Sequence, residues 1–239
     1  MSTVPTDPSD PTDPASPTLA EDLLLLLFDP RNGVFHGEGV PLFHVLAGAV
    51  LVDLAEQDRV EVAATPTWRG RPVTARGDAP PADALLRPTW ERVARSPVDV
   101  QQLIVETGPV LRPATVDRLV ERGHLRRERR KVLGLLPVTA LADGGTPRRA
   151  ELVAAVRATL VDGAEPDART AALAGLLSAS GSLPALHREI PWSGAVHDRG
   201  RALQEADRGT AEAAEAVRRT VVAALATMVV TATAAGQAR

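Results

Sequence analysis

The 239-residue chain contains no cysteine, which excludes a disulfide framework, a thiolate metal site and a thiol nucleophile together. That composition fits a reducing compartment and predicts a cytoplasmic protein. No basic residue and no apolar run precedes Leu19, so no secretory signal is expected. The longest mildly apolar run, 221–235, carries several threonines and falls short of the about 20 residues that cross a bilayer; it reads as a core helix. The common catalytic signatures are also missing. No GxGxxG follows a strand, no glycine-rich run ends in Gly-Lys-Ser/Thr, and no GxSxG supplies a nucleophile elbow. Histidines 36, 44, 124, 187 and 197 form neither HExxH nor a tight ligand pair, so no metal or other cofactor is expected. The chain is therefore read as non-enzymatic, the competing reading being an enzyme whose Asp, Glu and His residues are dispersed along the sequence.

Charge of one sign is lacking too. The formal net charge is -3, and Asp7, Asp10 and Asp13 of the proline-rich start account for that excess, which leaves the remaining body near neutral. An anionic partner must then be met by a local patch rather than by the whole surface.

What is present is apolar and helical in period. Residues 41–57, PLFHVLAGAVLVDLAEQ, are interrupted only by His44, Asp53, Glu56 and Gln57. A helix of that composition has no wide polar face and must be buried on nearly every side. Ala47, Gly48 and Ala49 would admit a close neighbour. His44 reads as a hydrogen-bonded core histidine, and Asp53 with Glu56 as the end of the helix reaching solvent. A helix so enclosed needs others around it, which predicts a mainly α, single-domain helical bundle around a buried central helix, with a projecting β-hairpin and small peripheral strands.

Along the chain, 1–17 repeat proline and aspartate with little to bury and predict a disordered tail, with the domain occupying 18–239. Thr18 with Glu21 has capping-box spacing before the apolar 23–28. The turn chemistry of 29–33 ends that helix, and 34–40 is a short strand or loop. Residues 59–62 alternate as a strand, with 68–73 returning beside it. Proline-led helices are expected from 80–83 to about 93, from 96–97 to about 106, and after Pro113 until Gly123. A hairpin or wing follows from His124, with Gly134 as a turn candidate. Further helices are expected from Thr146-Pro147, from a cap at Asp167 to about 180, from about 197, and over about 210–234, with 183–196 irregular.

The informative charges are Arg126, Arg127, Arg129, Arg130 and Lys131, with Arg112, Arg118 and Arg122 just upstream. Near an anionic membrane each base is worth about 1 kcal/mol, so this run would give salt-sensitive adhesion. The same run also reads as a solvated hairpin edge whose charges prevent sheet-to-sheet pairing. Residues alone leave both open. A third reading is a winged-helix-like nucleic-acid binder, with a recognition helix ending in a basic wing; the near-neutral body makes nucleic acid the weaker expectation.

The order of segments resembles the Golgi phosphoprotein 3 family, including its bacterial branch. The resemblance rests on LAEDLLLLL at 19–27, LAGAVLVDLA at 46–55 followed by Asp58-Arg59-Val60, GDAP at 77–80, LVERGHL at 119–125 and the leucine-rich 171–180. It implies an apolar central bundle, encircling amphipathic helices and a projecting hairpin, in a peripheral membrane protein on the inner membrane face. Family members are non-enzymatic adaptors that recognise phosphatidylinositol 4-phosphate, and the hairpin serves membrane contact and self-association. The resemblance thus implies an anionic phospholipid surface as partner, a protein client, and homo-oligomers through the hairpin. It assigns headgroup binding to Arg112 and the membrane or self-association hairpin to Arg126, Arg127, Arg129, Arg130, Lys131, Leu133, Leu135 and Leu136. The other headgroup positions are replaced: Glu38 stands for a tryptophan, Ala47 and Pro109 for arginines. A carboxylate opposes a phosphate, and each lost charge-assisted contact is worth about 1.5–3 kcal/mol. These replacements predict weak or absent specific phosphoinositide binding, with general adhesion to acidic lipid retained.

Overall fold

The computed structural model describes residues 16–63, 65, 71–132, 136–205 and 212–237. The predicted tail at 1–15, Trp68, the Gly134 turn, Leu133 and Leu135 lie outside the described residues. The described residues are 61% helical and form eight α-helices with small antiparallel strand pairs. Helix α1, Leu19–Leu27, starts with the expected capping box: Thr18 Oγ1 accepts from the Glu21 amide at 3.2 Å, and Glu21 Oε2 accepts from the Thr18 amide at 2.8 Å. All nine residues of α1 are buried. Each leucine contributes about 1.5–3 kcal/mol on full burial, which makes α1 a wall of the core.

Strands β1, Phe28–Asp29, and β2, Val34–Phe35, form a tight antiparallel hairpin. Gly33 has φ +71°, and a β-carbon there would stand 2.3 Å from the Leu141 carbonyl oxygen, so only glycine fits this turn.

Helix α2, Val40–Glu56, is the predicted centre, with twelve of its seventeen residues buried. Helix α8, Glu212–Gln237, crosses it at Gly48, where a β-carbon would meet Val221 Cγ1 at 3.0 Å and Leu225 Cδ1 at 3.1 Å. The small residues of α2 thus admit the close neighbour their size predicts. His44 differs from its expectation: it is half-buried, beside Met228 and Val229 in a small cavity, and not enclosed in the core. Desolvation there holds its pKa below the ordinary value. Asp53 differs in the opposite sense. It is buried at 4% exposure, and both its oxygens accept from the Leu19 amide, at 3.0 and 2.9 Å. Glu56 does reach solvent.

Strands β3, Val60–Val62, β4, Pro72–Ala75, and β5, Val98–Asp99, make a three-stranded sheet in the order β3-β4-β5. A strand returns beside β3 as predicted, at Pro72–Ala75 and not over 68–73, of which 68–70 lie outside the described residues; β5 is too short to show a period. Helix α3, Arg87–Arg95, begins later than the proline-led expectation. Asp83 does not cap a helix at 83; its Oδ1 accepts from the Leu85 amide at 2.7 Å and from Arg118.

The two helices expected around Pro109 and Pro113 are one, α4, Val100–Glu121. An interior proline removes a donor to the carbonyl four residues back. Here both prolines lie on the exposed side of α4, as does Val105, so water can satisfy the carbonyls left free. The opposite side presses on α2 so closely that a β-carbon at Gly108 would meet the Phe43 carbonyl oxygen at 2.5 Å.

Strands β6, Leu125–Val132, and β7, Leu136–Asp143, pair antiparallel from Leu125↔Asp143 to Val132↔Leu136 and form the predicted hairpin. Its base is pinched by two glycines: Gly123 has φ +74°, and a β-carbon on Gly144 would stand 1.8 Å from the Gly123 carbonyl oxygen. Helix α5, Arg148–Arg157, continues into a π-helical turn, Ala158–Asp162. Helix α6, Ala168–Ala179, is capped by Asp167, whose carboxylate accepts from the Thr170 amide. A 3-10 turn, Leu183–Leu186, and helix α7, Gly194–Glu205, complete the order. One continuous apolar cluster runs through α1, α2, α4, α6 and α8.

Candidate functional site

The chain's arginines divide into two groups that the sequence places side by side. Arg118 lies in the last turn of α4, with Arg122 just after it; both turn inward to the first turn of α1. Arg118 pairs with Asp83 at 2.5 Å and with Glu21 at 3.2 Å, and Arg122 Nε meets Glu21 Oε1 at 2.7 Å. Arg148 of α5 donates twice to Asp22, at 3.0 and 2.6 Å, and Arg169 of α6 donates to the same carboxylate at 2.7 Å. Glu21 and Asp22 are each 1% exposed. A carboxylate so deeply buried is sustained only by close cations, and here four guanidiniums supply them. Arg122 and Arg169 also donate to the Ser16 and Pro17 carbonyls, at 3.4 and 2.7 Å. The last two residues of the predicted tail are therefore held against the body. Burial pushes the nearby Asp53 carboxyl well above its usual range, opposed by the Leu19 hydrogen bond, while Glu56 raises it further and Arg169 lowers it.

The second group is on the hairpin. Alternation puts Arg127 and Arg129 on one face and Arg126 and Glu128 on the other. Arg126 pairs with Glu128 and donates to the Asp143 carbonyl at 2.8 Å; Arg127 pairs with Asp117 of α4. Arg129 is exposed and has no ion pair among the described residues. Arg130, Lys131 and Leu136 lie in register opposite Val138, Pro137 and Val132. Most of the expected hairpin residues are thus brought onto one finger, while Arg118 and Arg122 of the same basic stretch are not.

Arg112, the expected headgroup residue, is paired with Glu38: Nε to Oε1 is 2.7 Å and Nη2 to Oε2 is 3.0 Å. Its guanidinium lies 5.2 Å from the Phe35 ring centroid. The fold thus brings together two of the positions that the resemblance assigns to the headgroup, and the acid there neutralises the base. Ala47, a third, is fully buried in α2, and Pro109 sits on the exposed side of α4. Among the described residues no group of three or more His, Cys, Asp or Glu side chains could hold a metal ion. No helix among them is long and apolar enough to cross a membrane.

Among the described residues, a buried central helix, a surrounding set of helices and a cationic hairpin that follows α4 define a helical scaffold carrying a β-hairpin finger. The Golgi phosphoprotein 3 (GPP34) family model matches residues 19–224, and the chain belongs to that family. No curated protein matches the chain.

Proposed function

We propose that this protein is a non-enzymatic adaptor that rests on an anionic lipid surface through the β6–β7 hairpin and meets client proteins, or a second copy of itself, through its helical surface and the same finger. The observation that supports this most directly is the contrast among its arginines: Arg118 and Arg122 are spent on the buried Glu21, whereas the hairpin carries Arg126 and Arg127, paired at the surface, and Arg129, exposed without an ion pair among the described residues. Each such base near an acidic membrane contributes about 1 kcal/mol, and salt weakens it. The reading is general adhesion, not recognition of one phosphoinositide, because a Glu38 carboxylate already holds the Arg112 guanidinium that a headgroup would need. Inward-turned Arg118 and Arg122 also deprive α4 of the cation row that a nucleic-acid recognition helix would present.

Flotation with vesicles of phosphatidylcholine, with and without phosphatidylserine, in rising salt tests the proposal. The protein should float with the acidic vesicles and be released as salt rises. Equal recruitment to neutral vesicles would overturn it.

A further inference from the structure

A second cationic feature lies at the β1–β2 turn, whose Gly33 packs against Leu141 near the root of the hairpin. The β1–β2 turn and the 3-10 turn with the residues just after it line a cavity of about 430 Å³, among them Arg31, His36, His187 and Arg188. That volume falls within the roughly 300–1,000 Å³ usual for small-molecule sites. Its walls come from segments some 150 residues apart and are tied together from beneath. Arg149, 9% exposed, donates to the Phe28 carbonyl of β1 at 3.0 Å and twice to Glu189, at 2.7 and 2.7 Å. The Ile190 and Glu189 amides return to the Leu186 carbonyl at 2.8 and 2.9 Å, so the second wall is itself a closed turn.

Both carboxylates at this cavity are already committed. Glu189 is held by Arg149, and Asp29 accepts from the Arg31 amide at 2.9 Å and from Asn32 Nδ2 at 2.6 Å. The Arg31 amide, with Asn32 and the nearby charges of His36 and Arg31, keeps the Asp29 carboxyl below its usual range, so it stays an acceptor for those donors. Arg31 and Arg188 are exposed, and neither guanidinium has an ion pair among the described residues. His187 has a fixed tautomer: its Nδ1 accepts from the Trp192 amide at 2.9 Å, which leaves the proton on Nε2 as a donor.

We infer that this cavity binds a phosphate monoester, clasped between the Arg31 and Arg188 guanidiniums. Guanidinium groups match phosphate oxygens with paired, charge-assisted hydrogen bonds, and the two acids in the walls are too well satisfied to compete for them. The residues lining the site include none from the hairpin and neither member of the Glu38–Arg112 pair. Its phosphate is carried either by a soluble metabolite or by a lipid headgroup.

Calorimetric titration of the full chain with glycerol 3-phosphate at low ionic strength, beside flotation with phosphatidylcholine vesicles containing phosphatidic acid at a salt concentration that has already released the protein from phosphatidylserine vesicles, separates these sources. The wild type should bind at least one of the two probes, and R31Q/R188Q should bind that probe about tenfold or more weakly at an unchanged melting temperature. R129Q should bind glycerol 3-phosphate as the wild type does. Binding of glycerol 3-phosphate assigns a soluble ester; Arg31- and Arg188-dependent flotation without it assigns a lipid. A wild type that binds neither probe, or a double variant that binds both as the wild type does, overturns the inference and leaves the hairpin reading to its own test.

Discussion

Arg118 and Arg122, with Arg126 to Arg129 close behind, belong to one basic stretch of sequence, yet they serve two regions with opposite physics. At the start of α1, Arg118, Arg122, Arg148 and Arg169 surround carboxylates that are 1% exposed, and each charge there exists to neutralise another. On the hairpin, Arg127 and Arg129 remain at the surface, where water screens whatever they meet. An arginine's position along the chain therefore says little about its use; what decides it is whether a buried acid lies across the fold.

Breaking the inner cluster should have the largest effect. Asp22→Ala strands the Arg148 and Arg169 guanidiniums, and denaturant unfolding should show a loss of about 3 kcal/mol. A loss below about 1 kcal/mol would place these pairs with ordinary surface ones and erase the contrast. Asp53→Asn should sharpen it through pH. Burial raises the folded-state pKa of Asp53, so the folded protein takes up its proton before the unfolded chain does, and this group's stability contribution is lost as pH rises through the folded value. The variant should accordingly gain stability over the wild type at neutral pH, the gain shrinking as the solution is acidified. A difference that stays constant with pH would show that the Asp53 pKa is the same in the folded and unfolded chain. The smallest effect on stability belongs to Arg129→Gln, within about 0.5 kcal/mol. Its partition onto phosphatidylserine vesicles should nevertheless fall about fivefold, from the loss of about 1 kcal/mol per base. Unchanged partition would remove Arg129 from the membrane-facing set.

What could be foreseen from sequence was local or strongly periodic. The Thr18–Glu21 box spans three residues and the apolar 41–57 has no polar face, so both appear in the structure as expected. The helix through Pro109 and Pro113 was hidden because proline reads as a boundary, whereas here spacing by four puts both rings on the wet side of α4. Long-range pairing left no sequence signal at all. Nothing near Glu21 announces Arg122, nothing near Arg149 announces Glu189, and Arg31 and Arg188 line one cavity only once β1 and the Leu183–Leu186 turn have docked. Glu38 is intermediate: the resemblance marked it as a carboxylate in a headgroup position, and only the fold shows that it meets Arg112.

The glycine pinch where β6 and β7 leave the body has a mechanical meaning. With 1.8 Å between a would-be β-carbon on Gly144 and the Gly123 carbonyl oxygen, no side chain can enter the root of the finger without changing its pitch. Angle and charge are consequently set by different residues, and a mutation at the root would swing every cation on the finger together while leaving the number of cations untouched.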